Sequence, residues 1–153
     1  MSNNIVTNRI NVSITFSFKG ETFYPSTSID LDALMNNNSL AVIEQQSNML
    51  ASIYPLMAAS INLDTYSYAY EIMLASSAVY SQATGIAKKH LREGQFDYLS
   101  FYKEWQEQNV INVIEDIADK YHLLTELEQQ PQLKNALLDA FYAGKNQQKD
   151  AFK

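Results

Sequence analysis

The chain has 153 residues, of which 46% are hydrophobic and 18% are charged, and it contains no cysteine. The length is that of one domain, and the missing cysteines exclude disulfides, thiolate nucleophiles and cysteine-ligated zinc or iron–sulfur clusters. The net charge of −6 argues against nucleic acids and anionic membrane surfaces as partners, because both are bound through basic faces.

Hydropathy along the chain gives no sign of a segment that enters a membrane. The first ten residues lack the apolar core of a secretory signal. The longest uncharged stretches, 45–63 and 72–87, are too polar to provide the ~20 mostly apolar residues that span a bilayer. We therefore expect a soluble, cytoplasmic protein.

A β-hairpin is predicted over residues 10–24. Apolar and polar residues alternate from Ile10 to Phe18, which is the period of a strand with one buried face. Gly20 can supply the positive φ of a tight turn, and Thr22-Phe23-Tyr24 then returns until Pro25 ends the strand. An isolated hairpin is only marginally stable, so its apolar face has to pack on another element.

Residues 30–144 are predicted to be helical. Ser39, Asp64 and Asp97 are suitable N-caps, Gly94 and Gly144 are suitable stops, and Pro131 suits a first helical turn. The predicted helices are 40–54, interrupted at Pro55, then 65–92, 97–121 and 131–144. Residues 145–153 are expected to be a flexible tail. The predicted fold class is α+β, mostly α, with the hairpin packed on about four helices in a single domain, 1–153.

The segment from Met49 to Ala87 is unusually poor in charge, with only Asp64 and Glu71. A helix with so few charges is buried on most sides, either in the core or in an interface with a second copy. On the predicted helix 65–92 the small residues Ser77, Ser81 and Gly85 recur every four positions. They are therefore candidates for close packing or for an interface.

The sequence contains no recognisable catalytic or metal-binding constellation. Glu115, Asp119 and His122 have a metal-like spacing, but they face away from the apolar side of their helix, so no metal site is predicted. There is no nucleophile elbow, no facing carboxylate pair and no glycine-rich phosphate loop. We predict no cofactor, and the balance favours a protein that is not an enzyme.

One basic cluster, Lys88, Lys89, His90 and Arg92, lies at the predicted end of helix 65–92. Cations in a last helical turn stabilise the carbonyl end of the helix dipole. We interpret the cluster in this way in preference to a phosphate site.

An aromatic stripe is the most informative feature. Tyr98, Phe101, Tyr102 and Trp105 follow the i, i+3, i+4, i+7 spacing of one helix face. Three interpretations stay open. The hairpin residues Phe16 and Phe18 cover the stripe, or the stripe is an exposed anchor for a partner, or it lines a ligand pocket together with Tyr66 and Tyr70.

Two functional hypotheses follow from these patterns. The first is a small acidic protein that acts by protein–protein interaction, as an adaptor, inhibitor or assembly factor, and that associates with itself as a homodimer. The second is a helical-bundle protein or enzyme that holds a small-molecule ligand in a tyrosine-lined pocket. Neither hypothesis involves nucleic acid or a membrane.

Overall fold

The alternating residues near the N-terminus form strands in the computed structural model, which describes residues 7–151 apart from the side chains of Gln46 and 148–151. The α+β, mostly α class is confirmed. The chain divides into two compact units, one ending at Tyr102 and the other beginning at Lys103, and each is described by itself. The predicted boundaries of a single domain stay a prediction.

A three-stranded antiparallel sheet organises the first unit. Strand β1 (Arg9–Ile14) lies between β4 (Ser26–Asp30) and β5 (Ala78–Ser81). Its alternate residues Ile10, Val12 and Ile14 are buried, as the period of two predicts. Val12 is opposite Thr27 on one side and Tyr80 on the other.

The predicted hairpin is only partly correct. Strand β2 (Phe16–Phe18) pairs with β3 (Glu21–Phe23) through the two-residue turn Lys19-Gly20, whose φ angles of 51° and 78° are those of a type I′ turn. However, the first predicted strand breaks at Thr15, and β1 pairs with β4 and β5 instead of with β3. The reason is that the chain turns back after Pro25, so that β4 covers one edge of β1.

Short helices follow the sheet strand β4. Helix α1 (Leu31–Asn37) is capped by the Asp30 side chain, and α2 (Leu40–Ile43) is capped by Ser39, as predicted. Helix α3 (Gln46–Ser60) continues through Pro55 without the predicted interruption. The proline ring lies on the exposed side of α3, whereas Met49, Ile53 and Met57 form its buried side.

The predicted long helix 65–92 is wrong. Helix α4 covers only Tyr68–Leu74, and strand β5, a 3₁₀ helix (Gly85–His90) and a hairpin of β6 (Leu91–Arg92) with β7 (Gln95–Phe96) follow it. Residues 78–81 gain more by completing the sheet beside β1 than by extending a helix, because alternate burial suits Val79 and Tyr80 in a strand.

For the same reason Ser77, Ser81 and Gly85 do not share a helix face. Ser77 precedes β5, Ser81 ends β5, and Gly85 begins the 3₁₀ helix with a φ of 65°. Gly85 nevertheless lies against another part of the chain, since a Cβ there would overlap Oδ1 of Asn8.

Asn8 is a buried polar residue that joins three elements. Its side-chain amide donates to Asp32 Oδ1 of α1 at 2.9 Å, and its Oδ1 accepts from the Ile86 N–H at 2.9 Å. Its backbone N–H donates to Asp32 Oδ2 at 3.2 Å. The start of β1 is therefore fixed to α1 and to the 3₁₀ helix at once.

The second unit consists mostly of the part of α5 that follows Tyr102 and of two further helices. Helix α5 runs from Tyr98 to Lys120, α6 from Leu124 to Gln129 and α7 from Pro131 to Ala151. Their buried core is small and consists of Val110, Ile114, Ala118, Leu127 and Leu138. Helix α7 does not end at Gly144, which takes no left-handed φ there. It continues through most of the predicted tail, and residues 152–153 lie outside the described part.

We predict that Gly85→Ala lowers the free energy of unfolding by about 2–3 kcal/mol. The left-handed backbone disfavours a Cβ by about 1–2 kcal/mol, and displacement of the Asn8 amide removes a hydrogen bond worth about 1 kcal/mol. Urea unfolding followed by circular dichroism measures the change.

Gly20→Ala is the matched control, because Gly20 also has a positive φ of 78° but has no atom within 4 Å of an added Cβ. Gly20→Ala should lower the free energy of unfolding only by the cost of a Cβ on a left-handed backbone. Equal losses in the two variants would contradict a role for the Asn8 contact.

Candidate functional site

The structure buries most of the predicted aromatic stripe. Tyr98, Phe101 and Trp105 are buried and Tyr102 is half-buried, so the stripe is not an exposed anchor for a partner. Tyr66, predicted to line a pocket with the stripe, precedes α4 and is 96% exposed. Tyr70 lies in α4 and is half-buried.

Tyr98 and Phe101, at the start of α5, belong to an aromatic cluster with β5 and β7. Phe96 contacts Tyr98 edge to face at 4.9 Å between ring centroids and Phe101 at 5.6 Å. Tyr80 contacts Phe96 at 5.9 Å and Tyr98 at 5.8 Å. Tyr80 and Phe96 thus contact Tyr98 and Phe101, two of the stripe residues that the hairpin is predicted to cover. Phe16 of the hairpin stacks on Phe23 at 5.1 Å between ring centroids.

The hydroxyls of Tyr80 and Tyr98 are hydrogen-bonded to each other at 2.8 Å inside this cluster. Burial is the main cause that raises the pKa of Tyr80 to about 12, and burial also raises the pKa of Tyr98. Both phenols are therefore neutral and paired at physiological pH. They stabilise the fold and are not placed to act as a base or a nucleophile.

We predict that Tyr80→Phe and Tyr98→Phe each destabilise the protein by about 1–2 kcal/mol, because each leaves the other hydroxyl buried without its partner. The double variant should lose less than the sum of the two. A double-mutant cycle by urea unfolding measures the coupling, and strict additivity would contradict it.

Stability should also fall at high pH. Above the ordinary tyrosine pKa of 10 the unfolded chain releases the Tyr80 proton, whereas the folded chain retains it until a pH of about 12. The free energy of unfolding should therefore decrease by about 1.4 kcal/mol per pH unit for this group across that window.

The Tyr80→Phe/Tyr98→Phe double variant tests this pH dependence, because it should show a shallower slope than the parent protein. Tyr66→Phe, which removes a hydroxyl that faces water in the folded chain, is the control and should keep the parent slope. Identical slopes in all three proteins would contradict the assignment.

Two residues of the metal-like spacing have structural roles. Glu115 forms an ion pair with Lys134, with 3.8 Å between Oε1 and Nζ. His122 follows the end of α5 in a left-handed conformation with a φ of 59°. Among the side chains that the structure describes in residues 7–147, no group of three or more His, Asp or Glu is arranged to hold a metal ion. The same part of the chain contains no helix that is both long and apolar enough to cross a bilayer.

A face of α7 that the sequence analysis did not single out is apolar and exposed. Leu133, Leu137 and Phe141 are 39%, 40% and 39% exposed. The exposed small residues Ala136, Ala140 and Gly144 lie beside them. Together these six residues form what we call the α7 stripe, which contains no charged or polar side chain.

The α7 stripe could have been recognised from its spacing. Its large residues recur at i, i+4 and i+8, and its small residues do the same three positions later. Helix α5 has a similar row, Val113, Ile117 and Tyr121, which is also exposed. The buried residues of this part of α5 are Val110, Ile114 and Ala118.

Comparison with models of known protein families, with curated proteins and with solved structures finds no match for this chain.

Proposed function

We propose that this protein acts by protein–protein interaction and that it forms a homodimer through the α7 stripe. The observation that carries the proposal is the position of the stripe on α7. Leu138 and Tyr142 are on the side of the helix that packs in the core of the second unit. At about 100° per residue the stripe lies roughly opposite them. A solvated helix would present polar residues there.

The absence of charge restricts the chemistry of a partner. Six uncharged residues over three helical turns cannot form ion pairs, so the matching surface must itself be apolar. Contiguous exposed apolar surface of this kind is uncommon on monomers and is typical of interaction sites. A second α7 stripe satisfies this requirement, because an isologous dimer places the same patch on both sides of the interface.

The shape of the stripe supports a second copy as the occupant. Leu133, Leu137 and Phe141 form one ridge of large side chains, and the small residues form a parallel groove beside it. A two-fold axis along the helices places the ridge of each copy in the groove of the other. The same arrangement brings Lys145, on the ridge side, towards Asp139 of the other copy, on the groove side.

A dimer of this kind would make the protein an adaptor, inhibitor or assembly factor whose action depends on two joined copies. A cytoplasmic location is part of the proposal, since a chain without cysteine needs no oxidising compartment. Its acidity keeps nucleic acid out of the proposed set of partners.

We predict that Leu137→Gln weakens dimerisation by about tenfold or more. Each copy loses the burial of one large apolar side chain, which is worth about 1 kcal/mol for the part still exposed in the monomer. Sedimentation equilibrium and light scattering over a concentration series measure the dissociation constant.

Leu56→Gln is the matched control, because Leu56 is an exposed leucine of α3, 56% accessible and outside the stripe. It should leave the dissociation constant unchanged. A parent protein that stays monomeric at high micromolar concentration, or equal weakening by both substitutions, would overturn the proposal.

A further inference from the structure

A polar pocket lies in the first unit, where the 3₁₀ helix, the β6–β7 hairpin and the start of α5 meet. Its volume is about 600 Å³, and it is lined by Lys89, His90, Arg92, Gln95, Phe96, Asp97 and Ser100. This volume is in the range of pockets that hold small molecules.

The walls of this pocket are held by backbone hydrogen bonds. Strand β6 pairs with β7, so that Arg92 is opposite Gln95, and the Asp97 N–H donates to the His90 carbonyl at 3.1 Å. The Tyr80 N–H of β5 donates to the Gly94 carbonyl at 2.8 Å, which ties the turn of the hairpin to the sheet. The lining side chains therefore start from a fixed frame.

Positive charge is concentrated here in an otherwise acidic part of the chain. Residues 20–102 contain no Lys or Arg except Lys88, Lys89 and Arg92. Lys89 and Arg92 line the pocket. Lys89 and His90 already interact with other residues, whereas the Arg92 guanidinium makes no ion pair with the side chains described within residues 7–147.

Asp97 contributes the opposing charge but is engaged by the helix that follows it. Its Oδ1 accepts from the Ser100 N–H at 3.0 Å and its Oδ2 accepts from the Ser100 hydroxyl at 2.8 Å. These hydrogen bonds lower the pKa of Asp97, with a smaller contribution from His90. The lining thus has two permanent positive charges, on Lys89 and Arg92, and one negative charge, on Asp97. Its formal net charge is positive.

The helix dipole does not account for this cluster, since the helix 65–92 that the sequence analysis predicted does not exist. Lys88, Lys89 and His90 end a 3₁₀ helix of only six residues, and Arg92 lies beyond it in a strand. The neutral donor Gln95 is next to the cations in the pocket lining. Guanidinium, ammonium and amide groups in one concave site are the donors that bind oxyanions.

We propose that this pocket binds the phosphate group of a small phosphorylated compound. A phosphate carries up to two negative charges, so the net positive lining attracts it more strongly than it attracts a singly charged carboxylate. The Arg92 fork can bind two phosphate oxygens, and the Gln95 amide is a further donor. The pocket is large enough to hold the organic part of the ligand as well.

The test uses the full chain and three probes: inorganic phosphate, phenyl phosphate and acetate, each titrated calorimetrically at constant ionic strength. The parent protein should bind both phosphates saturably, and phenyl phosphate at least as tightly as inorganic phosphate. Arg92→Gln should weaken phosphate binding about tenfold or more, since it removes a charge-assisted pair of hydrogen bonds.

Lys88→Gln is the control, because Lys88 is an exposed neighbouring cation that does not line the pocket. It removes the same charge and should leave phosphate binding unchanged. The near-ultraviolet circular dichroism of both variants checks that the fold is intact. Lack of saturable phosphate binding, equal weakening by the two substitutions, or acetate binding as tight as phosphate binding would each overturn the proposal.

Discussion

The pairing of β1 on both of its edges is the constraint on which the first unit depends. A buried strand must have partners for its backbone donors and acceptors, since an unpaired buried group costs about as much as a lost hydrogen bond. β4 and β5 provide these partners from both directions along the chain. Asn8 adds a polar anchor at the start of β1 through Asp32 and Ile86.

Both proposed sites follow from how each unit distributes its apolar residues. In the first unit, completing the sheet with β5 places Tyr80 over Phe96 and Tyr98, and this buried aromatic cluster supports the hairpin that carries the polar pocket. In the second unit, a small core uses only one side of α7. The apolar residues on its other side remain at the surface.

The two sites use different physical chemistry. The α7 stripe gains free energy by removing apolar surface from water, which is independent of charge and only weakly directional. The pocket at Arg92 depends on charge-assisted hydrogen bonds from a fixed backbone frame. A dimer formed through the stripe would carry two copies of this pocket. Because the stripe and the pocket share no residue, ligand binding and self-association can be measured separately.

Local sequence signals determined the turns, caps and class of this protein. The alternation around Val12, the Lys19-Gly20 turn and the Ser39 cap act over a few residues, and each predicted the correct local structure. Tertiary structure decided the rest. Residues 78–81 form a strand because β1, more than sixty residues earlier, offers an open edge, and no neighbouring residue signals that pairing. Likewise α7 is apolar on two sides, and only the packing of Leu138 against the core decides which side remains exposed.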